Sequence, residues 1–430
     1  MWQTIVNAFK IKEVRRKILI TIGLLFIYRL GCHIPVPGVH VFDGLSDYTF
    51  LQIMSAVSGG ALQYGTFFAM GIGPYINASI IIQLLTVGIP ALERLSKQGE
   101  EGKKKINTIT RILTLFLAIA QAIGILVAFK GSIQLHELFG NGSGFATFMS
   151  YAFLVAVYTA GAAFTMWLGE RITDYGVSNG ISLLIFAGIL STAGTTILAM
   201  IQKLFVPATA ASAAWELIGF AIAAILIFAA IVCVNDAERK IPVQYAKQVK
   251  GRKMYGGQST HIPIKVNASG VMPLIFAFAI LSFPDLIMNL IGVKTEGSWW
   301  GRNMGTGSVL YTVVLCLLIV FFAYFYNQIQ FNPDDISKSI QGNGGFIPGT
   351  RPGKPTADYL RRVSNRITLF GAIFLALVAL VPSLIFKFID ANLVNVFSAT
   401  GLLIIVSVAL EFNQALQSQI MMKNYKGFLK

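Results

Sequence analysis

Apolar residues along the chain gather into long runs that alternate with short polar stretches. A helix needs roughly 20 apolar residues to cross the hydrocarbon core of a bilayer, and runs of that length recur along the whole sequence. They lie at about 17–36, 70–91, 109–129, 148–168, 180–204, 215–235, 269–292, 309–328, 367–387 and 394–413. The pattern predicts an all-α polytopic membrane protein with ten transmembrane helices.

One stretch departs from this regular alternation. No Asp, Glu, Lys or Arg occurs between Tyr48 and Leu92, so the uncharged segment is far longer than one span requires. Glycines at Gly59, Gly60 and Gly65 and a proline at Pro74 interrupt it, and these residues disfavour one continuous helix. The segment is therefore predicted to contain more than a single membrane helix.

The distribution of charge supports the ten spans and predicts their orientation. Only 12% of the 430 residues are charged, against about 25% in soluble proteins. The net charge of +15 could indicate nucleic-acid binding, but such proteins carry their basic residues on a soluble face. Here 28 of the 34 Lys and Arg fall in alternate connecting segments and the chain ends. Because positive loops stay inside, both termini are predicted to be cytoplasmic.

Catalytic chemistry has no clear sequence signature in this chain. The four histidines and three cysteines are scattered, and the glycine-rich stretch at 342–354 lacks the spacing of a phosphate-binding loop. We therefore expect no enzyme activity, no metal and no cofactor. A secondary transporter of small solutes is the alternative, but ion coupling needs carboxylates near the membrane midplane. The predicted spans are almost free of them: Glu411 lies near one span end, and Arg29 is an isolated cation in the first span.

Two further patterns leave alternatives open. Five amides lie in or beside the spans and either join helices by hydrogen bonds or line a polar cavity: Asn77, Gln83, Gln121, Asn327 and Asn413. Isoleucines recur at helical i, i+4 spacing, at Ile72 and Ile76 and again at Ile181 and Ile185. Spacing alone does not distinguish packing or lipid-facing isoleucines from a pore.

Several longer stretches together resemble the SecY family, the pore subunits of protein translocation channels. They fall in order along most of the chain: IPVPG at 34–38, SGGAL at 58–62, PYINASIIIQLLT at 74–86, NGISLLIF at 179–186, QSTHIPIKVNASGVMPLIFA at 258–277 and FIPGTRPG at 346–353. The resemblance implies an N-terminal half at 1–205 and a C-terminal half at 206–430, each with five spans. It also implies cytoplasmic docking loops at 236–268 and 329–366.

The resemblance further implies an hourglass pore, closed by a ring of apolar side chains and a re-entrant plug helix at 51–67. By motif, the pore ring consists of Ile72, Ile76, Ile181, Ile185, Ile275 and Ile404. The plug residues are Ser58, Gly59, Gly60, Ala61, Leu62 and Gly65. Because a plug must leave its seat, we expect it to have no charged anchor.

A lateral gate and a set of partners complete what the resemblance implies. Asn77 and Phe283 match gate positions, and Arg252, Lys253 and Arg351 match docking positions for the SecA ATPase or the ribosome. Arg252 and Lys253 are often two arginines in the family, so Lys253 is a mild departure. The expected function is a protein-conducting channel in the bacterial cell membrane, which passes unfolded preproteins across and releases signal sequences and membrane helices into lipid. SecE and SecG subunits are the further expected partners.

Overall fold

The computed structural model describes most of the chain as long α-helices. The described residues are 2–42, 49–129, 131, 133, 144–205, 210–245, 248–250, 253–255, 259–267, 270–291, 299–304, 308–389 and 399–427. Helices in the N-terminal half are α1 (Trp2–Lys10), α2 (Lys12–Gly31), α3 (Thr49–Val57), α4 (Gly73–Gly88), α5 (Pro90–Ser96), α6 (Glu100–Ala128), α7 (Gly144–Tyr175) and α8 (Gly180–Leu204). Those in the C-terminal half are α9 (Ala210–Asp236), α10 (Met272–Ile291), α11 (Trp299–Met304), α12 (Val309–Gln330), α13 (Pro333–Gly342), α14 (Lys354–Ile389) and α15 (Ala399–Gly427).

Each of the ten predicted spans coincides with one long helix of the described chain. These are α2, α4, α6, α7, α8, α9, α10, α12, α14 and α15. Among the described residues, α6, α7, α8, α9, α12 and α14 meet the length and hydropathy of a membrane span by themselves. The pair α4 and α5 meets them jointly but bends by 105°. The chain is extended at Ile89 and Pro90 starts α5, so the apolar run does not continue as one straight helix.

Several helices are longer than the apolar runs that predicted them. α14 begins at Lys354 rather than near 367, and α15 continues to Gly427 rather than ending near 413. Their additional turns are polar, as in the segment DYLRRVSNR at 358–366. Hydropathy marks the part of a helix that suits lipid, whereas backbone hydrogen bonds continue the helix into water.

The two long loops of the C-terminal half meet in a small β-sheet that the sequence analysis did not predict. Strand β1 (Glu238–Tyr245) pairs with β4 (Ser259–Lys265), and β5 (Gly345–Phe346) joins the other edge of β1. The intervening strands β2 (Gln248–Lys250) and β3 (Lys253–Tyr255) form a separate two-stranded ribbon. Pairing of β1 with β5 makes loops 236–268 and 329–366 parts of one surface.

The two halves contact each other on two sides. On one side α10 packs against α6 and α3, while on the other α15 packs against α8, α2 and α1. Helices α8 and α9 are also in contact, which joins consecutive helices across the boundary near residue 205. The proposed pore residues lie between these two contact regions.

Candidate pore and gate

The six isoleucines of the predicted ring lie in one apolar cluster. Ile72, Ile185 and Ile404 are buried within it, and Ile76, Ile181 and Ile275 pack against it half-buried. They come from four segments of the two halves: the start of α4, the start of α8, α10 and α15. The structure therefore brings together residues that are separated by more than 300 positions in the sequence.

Helix starts place four of these side chains. Ile72 directly precedes α4, and its carbonyl accepts the first helical hydrogen bond from the Ile76 N–H at 3.1 Å. Asn179 caps α8, since its side-chain oxygen accepts from the N–H groups of Ile181 at 3.0 Å and Ser182 at 3.4 Å. Each start thus directs an i, i+4 pair of isoleucines to the same face.

A cavity of about 420 Å³ with both apolar and polar residues in its wall lies against one side of the cluster. Four ring residues contribute to its wall, namely Ile76, Ile181, Ile185 and Ile275. Most of its polar lining is uncharged: Ser79, Gln83, Asn179, Ser182, Asn235, Asn267, Gln330, Ser407 and Gln414. Lys265 and Glu411 are the charged groups among the described lining residues, and Lys265 Nζ donates to Gln414 Oε1 at 3.0 Å.

The predicted plug lies on the cluster as well, through Val57, Ala61 and Phe67. Its helix, α3, ends at Val57, and a series of turns leads to α4. Ser58 stabilises this end: its hydroxyl donates to the Ser55 carbonyl at 3.1 Å and accepts from the Leu62 N–H at 3.4 Å. The remaining plug residues follow in the turns, with Ala61 and Leu62 almost fully buried.

Close backbone contacts hold the plug against α8. A Cβ on Gly188 would lie 1.9 Å from the Val57 carbonyl oxygen, so this approach requires glycine. The Thr192 hydroxyl donates to the Ala56 carbonyl at 2.9 Å, also from α8. Gly59 adopts a positive φ of +71°, which glycine allows at low cost. The plug is consequently seated by backbone contacts on the helix that carries Ile181 and Ile185.

The expectation that no charged group anchors the plug is wrong. The guanidinium Nη1 of Arg29 in α2 donates to the Gly59 carbonyl at 3.3 Å. The isolated cation of the first span therefore has a partner in the plug itself. This contact is a hydrogen bond to a neutral carbonyl rather than an ion pair, so plug movement would break no charge pair.

The predicted gate residues are on elements of opposite halves. Asn77 is buried in the first turns of α4, and Phe283 is half-buried in α10 beside Pro284. A different pair supplies the hydrogen bond across this side: Tyr326 Oη in α12 donates to Gln83 Oε1 in α4 at 2.5 Å. Sequence analysis identified the amide of Gln83 but missed its tyrosine partner, because Tyr326 lies in an ordinary aromatic run.

The five span amides have different surroundings. Gln83 realises both alternatives, since it joins two helices and lines the cavity. Asn327 joins α12 to α14 through Nδ2, which donates to Ser364 Oγ at 2.9 Å. Gln121 is buried in α6, and neither of its amide atoms has a partner in the described part of the chain. Asn413 is half-buried in α15.

Two of the three predicted docking residues, Lys253 and Arg351, lie on strands or turns of the predicted cytoplasmic-loop region that the structure describes. Arg351 is exposed in the turn between β5 and α14, and its carbonyl accepts from the Thr356 hydroxyl at 2.7 Å. Lys253 begins β3, opposite Lys250. Arg252 lies outside the described residues. Pairing of β1 with β5 links the turn that carries Arg351 to the hairpin that carries Lys253.

Comparison with known proteins is consistent with this arrangement. The SecY family model matches residues 66–413. A protein translocase subunit SecY from Streptomyces scabiei is 42% identical over 441 residues, which cover 99% of this chain and 99% of that protein.

Solved structures share the fold at low sequence identity. One described as the structure of a protein conducting channel has a TM-score of 0.69 at 20% identity and covers 94% of this chain and 92% of its own. A second concerns the plug domain of the SecY protein, which stabilises the closed state, with a TM-score of 0.64 at 20% identity and the same coverage. A third, Sec61 in a canine ribosome–channel complex, has a TM-score of 0.64 at 19% identity, again with the same coverage. On the family match and the full-length identity, this multi-pass membrane protein belongs to the SecY family.

Proposed function

We propose that this chain is the protein-conducting channel subunit of a Sec translocon. It passes unfolded secretory proteins across the membrane and releases membrane helices into lipid. The observation that carries the proposal is that the six isoleucines meet in one apolar cluster, which contacts both the plug and the cavity. Family membership and the relative named as a protein translocase subunit support the same function.

The isoleucine cluster suits a seal that must open for a polypeptide. Branched aliphatic side chains offer water and ions no hydrogen-bonding partner, so a narrow apolar constriction empties of water when closed. The same side chains can contact a passing chain of any sequence. The polar groups in the wall of the cavity beside the cluster are mainly uncharged amides and hydroxyls, which would keep an entering chain hydrated without binding it through charge.

The plug would supply a second closure on the other face of the ring. Its seat on α8 consists of a hydroxyl-to-carbonyl bond and a close glycine contact, both weaker than a long buried helix interface. The related structure whose description gives the plug domain a role in the closed state supports this function. Ser58, Gly59, Gly60, Ala61, Leu62 and Gly65 are the proposed plug residues.

Lateral release requires an opening between the halves. We assign it to the side on which α4 and α12 are joined by Gln83 and Tyr326, with Asn77 also on α4 and Phe283 on α10. Signal sequences and membrane helices would separate these elements and reach membrane lipid. Pro284 in α10 provides a point at which the gate helix can bend.

Energy and assembly come from partners in this proposal. SecA would hydrolyse ATP and, like the ribosome, would dock on the β-sheet surface through Arg252, Lys253 and Arg351. The arginines suit both partners, because a guanidinium pairs with carboxylates and with RNA phosphates. SecE and SecG are the proposed small membrane subunits. The sidedness of the basic loops supports cytoplasmic termini, and the relative from Streptomyces scabiei supports a bacterial cell membrane.

A crosslink in the ring tests the channel directly. Ile275→Cys, in a chain whose native cysteines are replaced, should form a crosslink to a stalled secretory polypeptide with a reactive group in its mature part. A matched cysteine at Leu317, exposed on α12, should give none. A small-solute transporter would not hold a polypeptide at position 275, so failure of that crosslink under active translocation would favour the alternative.

Ion conductance tests the seal. Replacement of a ring isoleucine by serine, as in Ile404→Ser, gives water a partner at the constriction and should make the resting channel leak ions in planar bilayers. Unchanged conductance would count against the ring.

A further inference from the structure

Three polar side chains form a chain of hydrogen bonds beside the isoleucine cluster. Asn267 Nδ2 donates to Asn235 Oδ1 at 2.7 Å, and Asn235 Nδ2 donates to Ser407 Oγ at 3.0 Å. Asn267 is buried, with 8% of its surface exposed, and all three residues line the cavity. We call Asn235, Asn267 and Ser407 the relay. It joins three segments of the C-terminal half: the end of α9, the segment before α10, and α15.

The relay is attached closely to both ring residues of that half. Ser407 follows Ile404 by one helical turn on α15. The carbonyl of Asn267 accepts from the Gly270 N–H at 3.4 Å, and Val271 then accepts from the Ile275 N–H at 3.2 Å. Two backbone hydrogen bonds thus connect the segment that begins at Asn267 to Ile275.

The relay also closes the base of the β1/β4 hairpin. Just beyond Asn235, the Ala237 carbonyl accepts from the Val266 N–H at 3.0 Å, and Glu238 pairs with Lys265. The hairpin leads to the proposed docking residue Lys253. The relay therefore lies between the surface proposed to receive the partner and the ring proposed to seal the pore.

We infer that Asn235, Asn267 and Ser407 are a positioning network that fixes Ile275 and Ile404 relative to each other in the closed ring and links both to the hairpin base. The inference rests on the proposed channel function. The three side chains act through the ring residues and need not contact the translocated chain. Removal of one member leaves a polar partner unsatisfied beside the cavity, and the ring should open about fivefold more often.

Variants of the relay can be compared with a matched pair elsewhere in the same half. Asn235→Ala breaks both relay bonds and Ser407→Ala breaks one, whereas Ser407→Thr retains the hydroxyl. Asn327→Ala breaks the bond to Ser364, an amide-to-hydroxyl pair of similar length that lies outside the apolar cluster of the ring. Ile404→Ser serves as the benchmark for a leaking ring.

Two measurements on the full chain with its partner subunits separate positioning from general stability. One is resting ion conductance in planar bilayers. The other is the rate of disulfide formation between Ile275→Cys and Ile404→Cys, with the native cysteines replaced. Relay alanine variants should leak ions and should change the disulfide rate about fivefold. Ser407→Thr should keep the conductance and the disulfide rate of the chain without a relay substitution. Asn327→Ala should lower thermal stability without changing either value.

The outcomes distinguish the network from the channel proposal. The positioning network is refuted, and the ring stands, if Ile404→Ser leaks but the relay variants show the same conductance and the same disulfide rate as the matching chains without a relay substitution. A leak in Asn327→Ala as large as in the relay variants would also refute it, because the effect would then be general loosening of the half. If Ile404→Ser itself does not leak, the sealing ring is refuted together with the inference.

Discussion

The two halves of the molecule meet along two seams of different chemistry. At the back seam, α15 packs on α1, α2 and α8. An apolar cluster joins it there to α1, α2 and the turn before α8, through Ala8, Val14, Ile18, Val177 and Leu416. At the gate seam, Ile80 reaches the apolar cluster of the other half, and the hydrogen bond from Tyr326 to Gln83 lies close by. Apolar packing has no preferred direction, whereas a hydrogen bond weakens steeply with distance and angle.

This difference assigns different tasks to the seams. A continuous apolar contact can tilt slightly without losing most of its burial, which suits a hinge. At the gate seam the packing of α10 on α6 is supplemented by a directional bond, which holds until it breaks and then contributes nothing further, and this suits a gate. Substitutions that act on one seam alone can test the assignment.

The largest effect is expected at the back seam. Leu416 is 1% exposed, so Leu416→Ala leaves a cavity and should cost about 2 to 5 kcal/mol of stability. Thermal unfolding of the purified complex measures the loss. Leu317→Ala, at an exposed apolar position of α12, is the control and should change stability little. Equal stability of the two variants would contradict a packed hinge.

The next effect concerns the plug, which is seated on α8 near the back seam. Gly188→Ala forces a Cβ against the Val57 carbonyl and should destabilise the seated plug by about 1 to 3 kcal/mol. The resting channel should then leak ions.

The same helix offers a control for that substitution. Gly194 has no heavy atom near its Cβ position, so Gly194→Ala should leave conductance unchanged. If both alanine variants leak alike, helix propensity rather than plug seating explains the effect.

A smaller effect is expected at the gate seam. Tyr326→Phe removes the hydrogen bond to Gln83 but keeps the aromatic side chain, at a cost of about 0.6 to 1.7 kcal/mol. The gate should open more readily, and proteins with weak signal sequences should be transported faster. Tyr324→Phe, two residues away on the exposed side of α12, should not change transport. Slower transport by Tyr326→Phe would argue against a latch.

A substitution on the docking surface is expected to affect the two seams least. Arg351 is exposed, so Arg351→Glu should leave stability and resting conductance unchanged while it impairs translocation driven by SecA. Lys338→Glu reverses a charge at another exposed position and serves as the control. Full translocation activity of Arg351→Glu would remove this residue from the docking surface.

The sequence predicted the helices of the bundle well and their ends less well. Apolar runs located all ten long helices, but α14 and α15 extend well beyond them because a helix needs no apolar residues outside lipid. The sheet escaped prediction because β5 has only two residues and forms through its pairing with β1.

Site residues that belong to continuous motifs could be predicted from the sequence. Contacts between residues far apart in the sequence could not. Motif resemblance identified the six isoleucines, which the structure brings into one cluster. It did not identify Tyr326 as the partner of Gln83, or the relay of Asn235, Asn267 and Ser407. Asn267 lies inside the motif at 258–277, but nothing in the sequence near it indicates Asn235 or Ser407 as its partners.

Hydrophobic runs and charge alternation by themselves determined that the chain is a polytopic membrane protein, where its helices lie and which loops are basic. Those properties are local, because a helix satisfies its backbone hydrogen bonds within its own segment. Only the tertiary structure decided which side chains meet. The gate bond joins residues 243 positions apart, and the Asn235–Ser407 bond joins residues 172 apart. Such partners depend on how the helices pack, which no single segment of the sequence specifies.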